Sequence, residues 1–249
     1  MDKPARAERA KVVVKELTQR IQPVLELHAA SEIIVYADTL SSQIPPSRAA
    51  LAFNSLQESI FQLLVIKLVS LWEAPADNRF SIPTAIALID DGDLIAALAK
   101  ETYEAHANRC VRNINPSGDM ELDRIAEQSA RTWQLGFARD QEANAKQSLR
   151  DLVKDVAALR AGSIAEALTN ARDHMAHSLE KTRRELSAPV PSAKYGFEKT
   201  LLEEAMAAIE TLYCWVNGTS FDIKGNCLEI AREQARDFWE NLKFSHKAE

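Results

Sequence analysis

The chain has 249 residues and a net charge of −6, long enough for one large domain or two small ones around a sizeable core. Only 7 glycines and 9 prolines stand among plentiful Ala, Leu, Glu, Gln, Lys and Arg, and no long run alternates apolar and polar residues, so the composition predicts an all-α protein. The acidic balance argues against a protein that coats nucleic acid, and Cys110, Cys214 and Cys227, odd in number with no Cys-x-x-Cys pair, argue against a metal ribbon or disulfide scaffold.

Taken in order, Pro4 suits the first turn of a helix running to about Arg20, and Pro23 predicts a restart or kink before a second stretch, Val24 to Leu40. His28 lies there among apolar residues and reads as a packed core histidine. After the Pro45-Pro46 stop, Ser47 can cap a helix reaching Trp72, apolar nearly all round in its middle, which predicts the central helix of the bundle. Its most apolar part, 60 to 72, is broken by Lys67 and falls short of a membrane span. The charged N-terminus has no apolar signal core, so a cytoplasmic protein with no membrane partner is expected.

Ser81 and Pro83 start a short helix ending near Ile89, and Asp90-Asp-Gly-Asp93 is a turn with a capping aspartate. The next helix runs from Asp93 to about Asn113, and Asn113-Ile-Asn-Pro-Ser-Gly118 is the clearest break in the chain. A long helix follows from about Met120 to Leu159. Its polar middle, Arg139 to Ser148, predicts a segment projecting into solvent or packed on a second chain. Arg160-Ala-Gly-Ser163 is a tight connection into a helix expected over about 163–187, antiparallel to its predecessor, with Ser163 and Glu166 forming a capping box. Pro189 and Pro191 stop it. A C-terminal helical hairpin over about 197–244 has Leu201–Val216 in its first helix, a Gly218 stop, and Asn226 capping the last helix. With no internal repeat, the economical architecture is one domain over 1–249, an up-and-down bundle with long antiparallel helices.

The helix over 163–187 carries the chemistry. Ile164, Leu168, Ala171, Met175, Leu179 and Leu186 form its core stripe, while Asp173, His177 and Arg184 fall on the far side and Arg172 sits beside the stripe. His is suited to proton transfer near neutral pH and Arg to clamping phosphate. Residues five apart, such as Arg172 and His177, are rotated by roughly 140° and displaced about 7.5 Å along a helix, so one copy does not readily surround a phosphate with both. Two copies about a two-fold axis can. Asp173 and His177, four apart, are neighbours on the helix surface, and the carboxylate can tune the imidazole. Lys181, Arg183 and Arg184 can guide phosphates or simply complement a helix C-terminus.

Arg172-Asp-His-Met-Ala-His177 resembles the signature of the HEPN superfamily, in which Arg is followed by Asn, Asp or His, with a His four to six residues beyond the Arg. The resemblance is to the branch associated with abortive phage infection of the U type, whose motif ends in Ala-His as Ala176-His177 does. The stretch from Ile60 to Trp72, followed by Ser81-Ile-Pro-Thr84, is similar to that branch's first block. The resemblance implies a metal-independent endoribonuclease with no cofactor, used as a toxin or in phage defence. It further implies a homodimer whose shared cleft carries Arg172 and His177 from both subunits, acting on RNA and not DNA. From the residues themselves, Asp173 is a candidate to assist in catalysis and Lys181 and Arg184 to meet the substrate; His174 matches no family position and either reaches the cleft as a further substrate contact or faces solvent.

Some toxins of the superfamily carry a Tyr two residues after the His. Here that position is Leu179, which argues against a modifying antitoxin of that kind and leaves a cognate antitoxin of another kind open. The alternative is a catalytically inactive bundle of the same fold that binds RNA or protein. A metal site built on His174 and His177 lacks further ligands beyond Glu180, and no Gly-rich phosphate loop is present.

Overall fold

A computed structural model describes residues 1–44, 48–109, 118–177 and 180–244, and among these the chain is a bundle of helices with no strand. Helix α1 (Lys3–Ile34) is capped by Asp2, whose carboxylate accepts from Ala5 N at 3.0 Å. It continues without interruption through Pro23, against the expected restart. Ile21, Val24 and Leu25 around the proline are buried, and that burial offsets the backbone hydrogen bond a mid-helix proline forfeits. A buried face along its whole length makes α1 the hub of the bundle, packed against the short α2 (Asp38–Ser41), α3 (Arg48–Ser70), α4 (Ile82–Ile89), α9 (Phe197–Asn217) and α10 (Glu229–Trp239). His28, within it, is buried as expected.

Helix α3 was expected to be central, and it is so only along one side, mostly towards its C-terminal end. Leu64, Val65, Leu68 and Val69 are buried, whereas Leu51, Leu56 and Leu63 are exposed. Taken whole, α3 is long and apolar enough to cross a membrane by length and composition, the one such helix among the described residues, which corrects the reading drawn from 60–72 alone. A core helix passes the same test. The expected cap Ser47 lies outside the described residues, as do Cys110, Leu179 and all but the end of the break at 113–118.

Ser81 caps α4 and Asp91 caps α5 (Gly92–Ala107), both as expected, though α5 stops earlier than Asn113. Gln134 and Arg131 of α6 (Met120–Arg160) donate to carbonyls at the end of α5, Gln134 Nε2 to His106 O at 2.9 Å and Arg131 Nη1 to Ala107 O at 2.8 Å, fastening the two helices. The polar middle of α6 does not project wholly into solvent: Ala145 is buried within it, and Ala138 and Leu149 are buried on either side. It is the first part that stands out, with Met120, Leu122, Ile125 and Trp133 exposed.

A turn at Ala161–Gly162 leads into α7 (Ser163–His177). Gly162 fits because a Cβ there would lie 3.1 Å from Leu159 O, and its own carbonyl accepts from Glu166 N at 3.2 Å. Gly162 therefore takes the cap position expected of Ser163. The expected single helix over 163–187 is two helices, α7 and a short α8 (Arg183–Ser187). Thr182 caps α8 in a capping box with Glu185, a helix-start signature overlooked in the sequence. As a result Leu186 leaves the predicted core stripe and is 71% exposed, while Leu168 is buried. The C-terminal hairpin packs α9 and α10 on α1 and so completes the bundle. Its last helix begins with a π-helical turn, Ile223–Leu228, capped by Asp222 rather than by Asn226.

Candidate functional site

The C-terminal end of α3 and the loop to α4 set one wall of a cleft of about 550 Å³ beside α7. That loop is pinned at both sides, by Ile82 N donating to Leu71 O at 2.8 Å and the Ser81 hydroxyl donating to Glu73 O at 2.9 Å. Glu73 is thereby aimed at α7. Arg172 Nη1 donates to Glu73 Oε1 at 3.1 Å, and Arg79 Nε lies 3.6 Å from Glu73 Oε2. On the other side Arg172 Nε lies 2.9 Å from Asp173 Oδ1, and Arg184 Nη1 from α8 donates to Asp173 Oδ2. Three arginines are strung together by two carboxylates. Arg172 and Asp173 are each about a fifth exposed, so both face the cleft without being sealed in it.

His177, the last residue of α7, lines the same cleft and is exposed, with Arg160, Glu166 and Thr169 completing the rim. One chain therefore brings Arg172, Asp173, His177 and Arg184 to a common space despite the divergence expected from their helical spacing. The break between α7 and α8 makes this possible, because it folds Arg184 back over Asp173. Asp173 pairs with the two arginines rather than with His177, which corrects the expectation that it tunes the imidazole.

Two predicted substrate contacts do not line this cleft. His174 Nε2 meets both Glu185 oxygens at 2.9 Å and so fastens α8 to α7. Asn170, buried, donates to Glu185 Oε1 at 2.9 Å and accepts from the Thr182 hydroxyl. Hydrogen bonds from His174, Thr182 N and Asn170 hold the Glu185 carboxyl well below the usual carboxylate range, at about 2. These four residues form the corner on which Arg184 is mounted. Lys181 is exposed and outside the cleft. Among the described residues no group of three His, Cys, Asp or Glu is placed to hold a metal ion.

The site residues the sequence reading missed are Glu73 and Arg79. Their one available signal was position, between the two halves of the first block and flanking its loop. With this arrangement in view, the family comparison bears directly on it: the AbiU2 model, a HEPN family, matches residues 8–238 and so spans both walls of the cleft. The chain belongs to the AbiU2 family of HEPN domains. No curated protein and no solved structure matches it. Within this AbiU2 chain, Arg172, Asp173 and His177 lie together along the cleft.

Proposed function

We propose that this AbiU2 protein is an endoribonuclease that acts inside the cell in abortive infection, as a toxin or a phage-defence effector. The observation that carries the reading is the convergence of Arg172, Arg184 and His177 on one open cleft, with Arg172 held by a side-chain carboxylate, Glu73, that a phosphate can displace. A bound phosphodiester takes the place of Glu73 on Arg172, the guanidinium meeting two phosphate oxygens in the fork geometry it offers carboxylates. Asp173 stays as the spacer that keeps Arg172 and Arg184 a fixed distance apart.

The reaction is the internal attack of a ribose 2′-oxygen on the neighbouring phosphorus. The 2′-hydroxyl loses its proton, the new P–O bond closes a 2′,3′-cyclic phosphate, and the 5′-oxygen leaves with a proton. His177 carries a proton at one of those two oxygens, a role worth roughly a hundred- to ten-thousand-fold. The arginines hold the charge that builds on the non-bridging oxygens. The second proton transfer falls to His177 of a second copy, if two cleft faces meet about a two-fold axis as the family likeness implies.

The test is cleavage of a mixed RNA pool in EDTA by the parent, Arg172→Ala and His177→Ala, with the ends analysed. Parent-only cleavage leaving cyclic phosphate and 5′-hydroxyl ends supports the reading. Equal, negligible cleavage by all three folded proteins would favour a binding bundle instead. A mass measurement in solution tests the dimer that a shared site requires.

A further inference from the structure

A second pocket lies on the opposite flank of α7, about 780 Å³, reaching from Met175 to the first half of α3 and the coil before α9. Its wall is aromatic. The Tyr195 ring is 73% exposed and stands between Phe61, 5.0 Å away between centroids, and Tyr36, 6.1 Å away and nearly perpendicular. The platform is fixed rather than loose. The Tyr36 hydroxyl donates to Glu198, which is buried and also accepts from Gly196 N at 2.9 Å, next to Tyr195 in the chain. Around the rings the lining is amide and carboxylate: Asn54, Gln57, Gln62 and Glu58. Among the described residues no Lys or Arg lines it. Asn54 is exposed and has no hydrogen-bond partner among the described residues, so its amide is open to a ligand.

The two flanks of α7 are thus chemically opposite. One offers cations and suits phosphate. The other offers stacking faces with hydrogen-bonding amides and one anion, which repels phosphate and suits a neutral planar heterocycle with amino and carbonyl edges. Met175 is one turn beyond Arg172, about 4.5 Å along the helix axis, so neighbouring parts of one strand reach both flanks.

We propose that this pocket receives an unpaired nucleobase next to the scissile phosphate, stacked on Tyr195 and read at its edge by Asn54 and Glu58. The proposal rests on the ribonuclease reading for the phosphate's place, and it makes the substrate single-stranded RNA. A paired base cannot enter, because its edge is occupied and its faces are covered by its neighbours.

The experiment uses the full chain carrying His177→Ala and a short single-stranded oligoribonucleotide containing 2-aminopurine, whose fluorescence drops on stacking. Tyr195→Ala is the probing variant, since an exposed ring can be removed without opening the core, and Tyr195→Phe is the conservative control. The expected result is quenching on binding, about tenfold weaker binding with loss of quenching in Tyr195→Ala, and retention of both in Tyr195→Phe. The same probe annealed into a duplex, already dimmed by its stacked neighbours, should bind weakly and show no further change when protein is added. Unchanged affinity and quenching in Tyr195→Ala, equal binding of the duplex, or no binding to the parent each overturns the base pocket. Cleavage is scored separately in the His177 background. Parent cleavage that Tyr195→Ala leaves untouched sinks the pocket alone. Tyr195-dependent quenching by a protein that cleaves no RNA sinks the ribonuclease reading alone.

Discussion

The cleft beside α7 and the latch between α1 and α10 are built from the same residue types, and they are put to opposite uses. In the latch Arg232 grips Glu32 with two parallel hydrogen bonds, both 2.8 Å, while buried His28 sits 3.4 Å from the same carboxylate. Arg, Glu and His there close on one another and tie the last helix to the first. In the cleft Arg172 is shared between two carboxylates from different elements, and His177 is exposed with open space before it. An arginine, an acid and a histidine in proximity therefore say little about function by themselves. What separates a site from a brace is whether the arginine's partners can be exchanged and whether the histidine can reach a ligand.

The sharpest way to break the contrast is to remove the two histidines in turn. His177→Ala should lower RNA cleavage at least about a hundredfold and leave the unfolding midpoint where it was. His28→Ala should do the reverse, costing about 2 kcal/mol of stability from the cavity left behind while cleavage at low temperature persists. Thermal unfolding and a cleavage time course on both proteins read the two effects.

Next in size is Asp173→Asn, which keeps the shape of the spacer and removes its charge. Cleavage should fall about tenfold as Arg172 and Arg184 lose their common anchor, with a larger change in kcat than in KM if they act on the transition state. On the latch side, Arg232→Ala should cost about 1 kcal/mol, since Glu32 is a third exposed and solvent weakens the pair, with cleavage unchanged.

The smallest effect is the pH dependence of the latch. Hydrogen bonds from His28 and then Arg232 hold the Glu32 carboxyl at about 2 in the folded protein, against about 4.3 when unfolded. Its contribution is therefore complete above about pH 4.3 and disappears as the pH falls through 2. Acid unfolding of Glu32→Gln should be less steep than that of the parent across that window. Equal steepness would mean the pair contributes no net stability.

How much of this could be read from the sequence differs between elements for physical reasons. The all-α class and the caps at Ser81 and Asp91 follow from local chemistry, and the structure keeps them. The continuity of α1 does not, because a proline's local penalty is outweighed by burial contributed from distant helices. The opposite error occurred at α3: its apolar residues predict burial, but the bundle covers only the half that faces α1 and α7, and Leu51, Leu56 and Leu63 are left outside. At the site, Arg172 and His177 are legible because they lie on one helix at a recognisable spacing. Glu73 is not legible, since it stands 99 residues from Arg172 and only the fold makes them neighbours. His174 looked like a substrate contact because the break before Thr182 went unseen. Once α8 turns back, that histidine meets Glu185 instead of the cleft.

The most direct test of the central claim compares two arginine truncations in one RNA cleavage experiment in EDTA, Arg172→Ala and Arg232→Ala, each checked for folding. An exchangeable arginine in the cleft and a locked arginine in the latch predict that the first loses cleavage by at least about a hundredfold while the second keeps the parent's rate. Parent-like cleavage by Arg172→Ala would contradict the account and place the working site elsewhere on the molecule.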